Sequence, residues 1–111
     1  MMQNSNISIA SDFSKYPAGR YKSDGPYSGE RFRDDVLMPI LRAGQKVVLR
    51  MDGTLGYGSS FLEEAFGGLV RVHAFTPDRI DSLLTIESSD PSLAVEIKKY
   101  IADAAKSTKM H

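Results

Sequence analysis

Lys46-Val47-Val48-Leu49-Arg50-Met51 is the stretch that most narrows the choice of fold. It is almost continuously apolar and of strand length. Such runs belong to central strands covered on both faces, the pattern of parallel sheets. A parallel neighbour has to be reached by a crossover, usually through a helix. The chain supplies a helical pattern on each side. From Ser28 to Ala43, Phe32, Val36, Leu37, Ile40 and Leu41 recur on one face, while Arg31, Arg33, Asp34, Asp35 and Arg42 lie mostly elsewhere. Ser28 can cap this helix and Gly44 can close it. Pro39 falls in its interior, where it removes a hydrogen bond at a cost of about 3 kcal/mol, so a kink or irregular turn is expected there.

After the central strand, Gly53 to Gly58 form a glycine-rich turn. A second helix then starts at Ser59 or Ser60 and carries Phe61, Leu62, Ala65, Phe66, Leu69 and Val70. Thr76-Pro77-Asp78 can cap a short helical turn, and Leu83 to Glu87 reads as another strand. Asp90-Pro91 is a cap followed by a first-turn proline. It opens a last helix with Leu93, Ile97, Tyr100 or Ile101, and Ala104 on one face. At the other end, Asn6-Ile7-Ser8-Ile9-Ala10 alternates as a half-buried strand does. Ser11 to Tyr27 is a long Gly-, Pro- and aromatic-rich segment, with a further strand expected near Arg20-Tyr21-Lys22 and a turn at Asp24-Gly25-Pro26. The expected fold is α/β: one domain over residues 1–111, a sheet of about four strands, three main helices packed on it, and flexible ends at 1–5 and 107–111.

Composition excludes several classes of function. The chain has 111 residues, 14 Lys+Arg against 14 Asp+Glu, and no cysteine. That length suits a single core. Balanced charge argues against nucleic-acid binding through a basic surface. Without cysteine there is no disulfide framework, thiolate chemistry or cysteine-ligated metal, as suits a reducing compartment. No apolar run approaches a bilayer span, and Met1 to Asn6 lack the features of a secretory leader. A cytoplasmic location is expected, with no nucleic-acid or membrane partner. His73 is isolated and His111 is the last residue, so neither builds a metal set nor a catalytic triad, and no cofactor or metal is expected.

The junction from Arg50 to Glu64 holds the most specific pattern. Ser60 and Glu63 have the spacing of a capping box, which would leave the Ser59 hydroxyl just outside the helix and facing solvent. A phosphate there would lie by the positive helix end and its unpaired N–H groups. The bland reading is that both serines only start a helix. Arg50-Met51-Asp52-Gly53-Thr54 followed by Gly58-Ser59-Ser60-Phe61-Leu62 resembles the signature of STAS domains, the sulfate-transporter and anti-sigma-factor-antagonist fold. The chain is more similar still to a group described as STAS-like domains of unknown function. Gly19-Arg20-Tyr21, the block from Asp24 to Arg33 and the block from Ser59 to Arg71 carry that similarity. The resemblance implies a non-catalytic regulatory module of prokaryotic or phage type. It implies a protein partner, such as an ATPase of the histidine-kinase-like fold or another signalling protein. It also places the phosphoacceptor at Ser59, with Ser60 beside it and Tyr57, Gly58, Phe61 and Glu64 as partner-binding candidates. The chain departs from the antagonist signature at Gly58 and Arg50, where that family has acidic residues, and at Phe61, where it has glycine.

Two other readings stand beside this one. Arg20, Arg31 and Arg33, with Lys22, surround a glycine-rich approach to a helix start, so a small anion or nucleotide is a candidate ligand, although the P-loop spacing is absent. The charges there can equally be solvated or paired with Asp24, Glu30, Asp34 and Asp35. An assembly protein, including a homo-oligomer, is the third reading. Gly67-Gly68 is costly inside a helix and is expected to let the helix approach the sheet closely.

Overall fold

The computed structural model describes residues 4–109. Strands β1 (Asn4–Ser8), β2 (Lys46–Arg50) and β3 (Leu84–Glu87) form one parallel sheet in the order β1-β2-β3. Helix α1 covers residues 29–42, with α-helical turns at Gly29–Arg31 and Met38–Arg42 and a wider π-helical stretch at Phe32–Leu37. Helix α2 covers residues 59–71 and widens in the same way at Glu63–Gly67. A short α3 (Pro77–Leu83) precedes β3, and α4 (Pro91–Lys109) follows it. Residues 4–5 lie in β1 and 107–109 in α4, where flexible ends were expected; residues 1–3 and 110–111 fall outside the described residues.

The sheet has three strands, not four. Around Arg20-Tyr21-Lys22 the chain instead forms a turn leading into a 3-10 turn at Lys22–Asp24. The reason is local. The Asp24 carboxylate accepts from the N–H groups of Arg20 (3.1 Å) and Tyr21 (2.8 Å), and Glu30 accepts from Lys22 N–H (2.8 Å). These donors are what a strand would have offered to a ladder, and acidic side chains take them first.

Stepping from β1 to β2 to β3 in one direction with right-handed crossovers leaves the helices on one side of the sheet. Burial follows that layout. Ile7, Val47, Leu49 and Leu84 are buried under the helices, whereas Asn6, Arg50, Thr85 and Glu87 are exposed and Val48 is half-buried. The expectation of a β2 covered on both faces is therefore corrected to one covered face. Registered rows such as Asn6–Val48–Thr85 and Ser8–Arg50–Glu87 are polar enough to face water. The core joins these strands to Phe32, Leu37, Leu41, Phe61, Phe66, Leu69, Ile97 and Ile101. Pro39 sits at the exit of the π-helical stretch of α1, so the expected irregularity is a widened turn just before it. No helix among the described residues is long and apolar enough to cross a membrane.

Candidate functional site

Helices α1 and α2 begin side by side but their starts are built differently. At α1, the Ser28 hydroxyl accepts from Arg31 N–H (3.1 Å). Gly29 N–H donates to the Gly19 carbonyl and Glu30 N–H to the Arg20 carbonyl, both at 3.0 Å. Ser28 is fully buried. Gly29 is pressed against α2: a Cβ there would collide with the Phe61 carbonyl and lie 3.1 Å from Ala65 N. Every first-turn donor is satisfied within the protein, and no space is left for an anion.

At α2 the start is open. Gly58, with an extended backbone, is the N-cap; Ser59 and Ser60 are the first two helical residues, and no side chain caps them. The expected capping box is not formed, because the cap lies two residues earlier and Glu63 is turned to Arg20 and Arg71. Both serines are exposed, and neither hydroxyl has a hydrogen-bond partner among the described residues. Phosphoryl charge on Ser59 would sit at the unsatisfied, positive end of a thirteen-residue helix (residues 59–71).

Aromatic packing holds this open end in place. Phe61 is fully buried and lies 6.0 Å, centroid to centroid, from both Phe32 and Tyr57. Phe13 packs edge-on against Phe32 (5.1 Å) and Tyr27 (5.7 Å). The Tyr57 hydroxyl donates to the Met51 carbonyl, and burial pushes the Tyr57 phenol up. Outside this cluster, Leu55 is 82% exposed at the tip of the Gly53–Gly58 turn, and its N–H donates to the Lys15 carbonyl (3.0 Å). That bond brings the turn against the segment carrying Tyr16, which is 63% exposed. Exposed Leu55 thus lies on the turn that leads into the serines, and exposed Tyr16 on the segment bonded to that turn.

Of the partner-contact candidates, the structure leaves Tyr57 half-buried and Gly58 exposed beside Ser59 and Ser60. Phe61 and Glu64 are both buried, Phe61 in the aromatic cluster and Glu64 in an ion pair with Arg33. Arg50 pairs with Glu87 across the open sheet face (3.4 Å), and Asp52 accepts from Ser88 and Ser89.

The three arginines of the anion reading are all engaged by acceptors of the protein itself, Arg20 and Arg33 meeting on Glu64 and Arg31 lying apart. Arg31 donates to the Pro26 carbonyl (2.6 Å) and pairs with Asp35 (3.5 Å). Arg20 Nη1 reaches Glu63 (2.5 Å) and Glu64 (3.3 Å). Arg33 is 2% exposed. Its Nη1 donates to the Glu64 carboxylate (2.6 Å) and carbonyl (3.0 Å), and its Nε to Asp34 (2.9 Å). Arg71 closes the group onto Glu63 and Glu64, and His73 Nε2 lies 2.9 Å from Asp34. Burial opposes ionisation of Glu63 and Asp34, but the adjacent guanidinium groups outweigh it and hold both carboxyls below their ordinary values. Among the described residues no buried side-chain polar atom lacks a partner.

This network, which sequence reasoning missed, ties the π-helical stretches of α1 and α2 together, since Arg33 lies in one and Glu64 in the other. It also explains Gly68. A Cβ there would strike the Arg33 guanidinium, with Cζ at 3.0 Å, so the glycine makes room for a buried arginine and not for the sheet. Two glycines in a helix near adjacent glutamates were the signal available in the sequence. No three or more His, Cys, Asp or Glu side chains cluster as a metal site among the described residues.

No curated protein and no solved structure gives a match to the chain. Residues 28–94 match the family described as the STAS-like domain of unknown function, spanning α1, β2, the open helix start, α2, α3 and β3. The chain belongs to that family of STAS-like domains.

Proposed function

We propose that this protein is a non-catalytic interaction module that binds a signalling protein through the open start of α2, with Ser59 as a phosphoacceptor that switches the contact. The observation that carries this reading is the contrast between the two helix starts. The α1 start is sealed by Ser28, Gly19 and Arg20, whereas the α2 start presents two unengaged serine hydroxyls after a turn that carries exposed Leu55. A phosphate added there would gain from the helix end and would change the charge of that surface. An ATPase of the histidine-kinase-like fold, or another kinase, is the partner class that the family resemblance suggests. The anion-ligand alternative has no comparable support, since its arginines are spent on carboxylates and a carbonyl.

Capture of partners from the native host, with mass spectrometry of the Ser59 peptide, identifies partner and modification together. Affinity is then compared for wild type, Ser59→Ala, Ser59→Asp and Leu55→Ser. Ser59→Asp is expected to shift affinity by about tenfold, or about 1.4 kcal/mol, and Leu55→Ser to weaken it. Equal affinities for the three Ser59 forms would sink the switch, and an unaffected Leu55→Ser would move the contact surface elsewhere.

A further inference from the structure

Strand β3 is an edge of the sheet, and its outward polar groups are few. Met51 N–H donates to the Glu87 carbonyl (2.8 Å), so Glu87, and with it Thr85, directs its backbone toward β2. Leu84 N–H is taken by the Ile80 carbonyl. That leaves Ile86 as the β3 residue whose N–H and carbonyl both face outward, with no partner for either among the described residues. Beside this edge, between α3 and α4, runs a groove of about 230 Å³ floored by Ile80, Ile86, Ile97 and Ile101. One wall carries Asp78 and Asp81 on α3, and the other carries Lys98 on α4. All three are exposed, and none makes an ion pair or side-chain hydrogen bond among the described residues, although most charges elsewhere on α1 and α2 are paired.

We infer that β3 and this groove are a self-association surface, occupied by β3 of a second copy running antiparallel across a two-fold axis at Ile86. Self-complementarity singles out that occupant. A two-fold contact needs one patch to match itself. A single outward residue meets the condition, because two antiparallel copies of Ile86 exchange both N–H···O bonds as one hydrogen-bonded pair. An axis perpendicular to the sheet keeps the helices of both copies on the same side, so the two grooves merge over the paired Ile86 side chains. In the proposed dimer the acidic wall of each copy is set against the basic wall of the other. A groove with walls of one sign would instead call for a foreign partner of opposite charge. The surface is separate from the Ser59 face, and its test is independent of the switch proposed there.

Sedimentation equilibrium of wild type from micromolar to millimolar concentration is expected to show a monomer–dimer equilibrium. Lys98→Glu and Asp81→Lys each place like charges across the axis twice and should raise the dimer dissociation constant about tenfold. The double variant Lys98→Glu/Asp81→Lys restores opposite charges and should return it to near the wild-type value. Circular dichroism confirms that each variant is folded. A wild type that stays monomeric throughout overturns the inference. So does a dimer insensitive to both reversals, or one that the double variant fails to restore.

Discussion

Replacing Glu64 with leucine tests whether a buried arginine is held in place by the partner that α2 brings to it. Arg33 is 2% exposed and makes three donations, two of them to Glu64. Glu64→Leu keeps the backbone carbonyl and Asp34 as acceptors but removes the 2.6 Å charge-assisted bond and one of the two facing carboxylates. Arg20 and Arg71 also lose contacts of 3.3 and 3.2 Å. Those arginines are partly exposed and retain Glu63, so they add little. Stripping one partner from a buried pair costs about 3–5 kcal/mol. With Asp34 still in place the lower end applies, about 3 kcal/mol, a large share of the roughly 5–15 kcal/mol that holds a domain together. At about 4 °C per kcal/mol for a chain of this size, Tm should fall by about 12 °C. The chain has no tryptophan, so far-ultraviolet circular dichroism through a urea titration is the suitable assay. The double variant Arg33→Met/Glu64→Leu leaves neither of the paired charges and should recover most of the loss. A Glu64→Leu protein within about 1 kcal/mol of wild type, or a double variant no better than the worse single, would refute the reasoning.

The contrast between the helix starts gives a second prediction: Ser28→Ala should lose about 1–2 kcal/mol, whereas Ser60→Ala should stay within about 0.5 kcal/mol of wild type. Urea midpoints decide it, and a Ser60→Ala loss matching that of Ser28→Ala would mean that Ser60 caps α2 after all. A third concerns acid. Asp34 and Glu63 have folded values held below their ordinary 3.8 and 4.5, burial opposing this and the guanidinium groups prevailing. A depressed carboxyl stabilises fully above its unfolded value and loses that contribution as pH falls through the folded one. Tm should therefore hold steady from neutral pH to about pH 5 and drop below about pH 4, with a shallower drop in Glu63→Gln. A decline that begins near neutral pH, or a Glu63→Gln profile parallel to wild type, would assign the acid sensitivity to other groups.

Much of the architecture is legible in the sequence because it rests on local rules. Ser28 and Thr76 cap helices where expected, Gly44 takes the left-handed conformation after α1 (φ 74°), and Pro91 opens α4. The apolar periods place Phe32, Leu37, Leu41, Ile97 and Ile101 in the core. The strand expected at Arg20–Lys22 fails because Asp24 and Glu30 compete for its backbone donors, a contact that residue types alone do not rank. The capping box fails for a related reason. Ser60 and Glu63 have the right spacing, but guanidinium groups from the loop before α1 and from the end of α2 claim the glutamate.

Two features belong to the tertiary structure alone. Periodicity assigns Arg33 to a solvated helix face, since a charged residue off the apolar stripe normally faces water. The crossing of α1 and α2 instead closes over it, with Glu64 supplying the countercharge; Gly29 lets α1 approach Phe61 and Ala65 of α2, and Gly68 leaves the space that the Arg33 guanidinium fills. The other feature is the difference between two serine-led helix starts. The sequence by itself placed one helix start at Ser28 and another at Ser59 or Ser60. Packing decided that one is sealed beneath the Gly19–Arg20 turn and the other left open to solvent. An N–H group is satisfied by whatever acceptor the folded chain brings within reach, and that acceptor is set by the fold, not by the neighbouring residues.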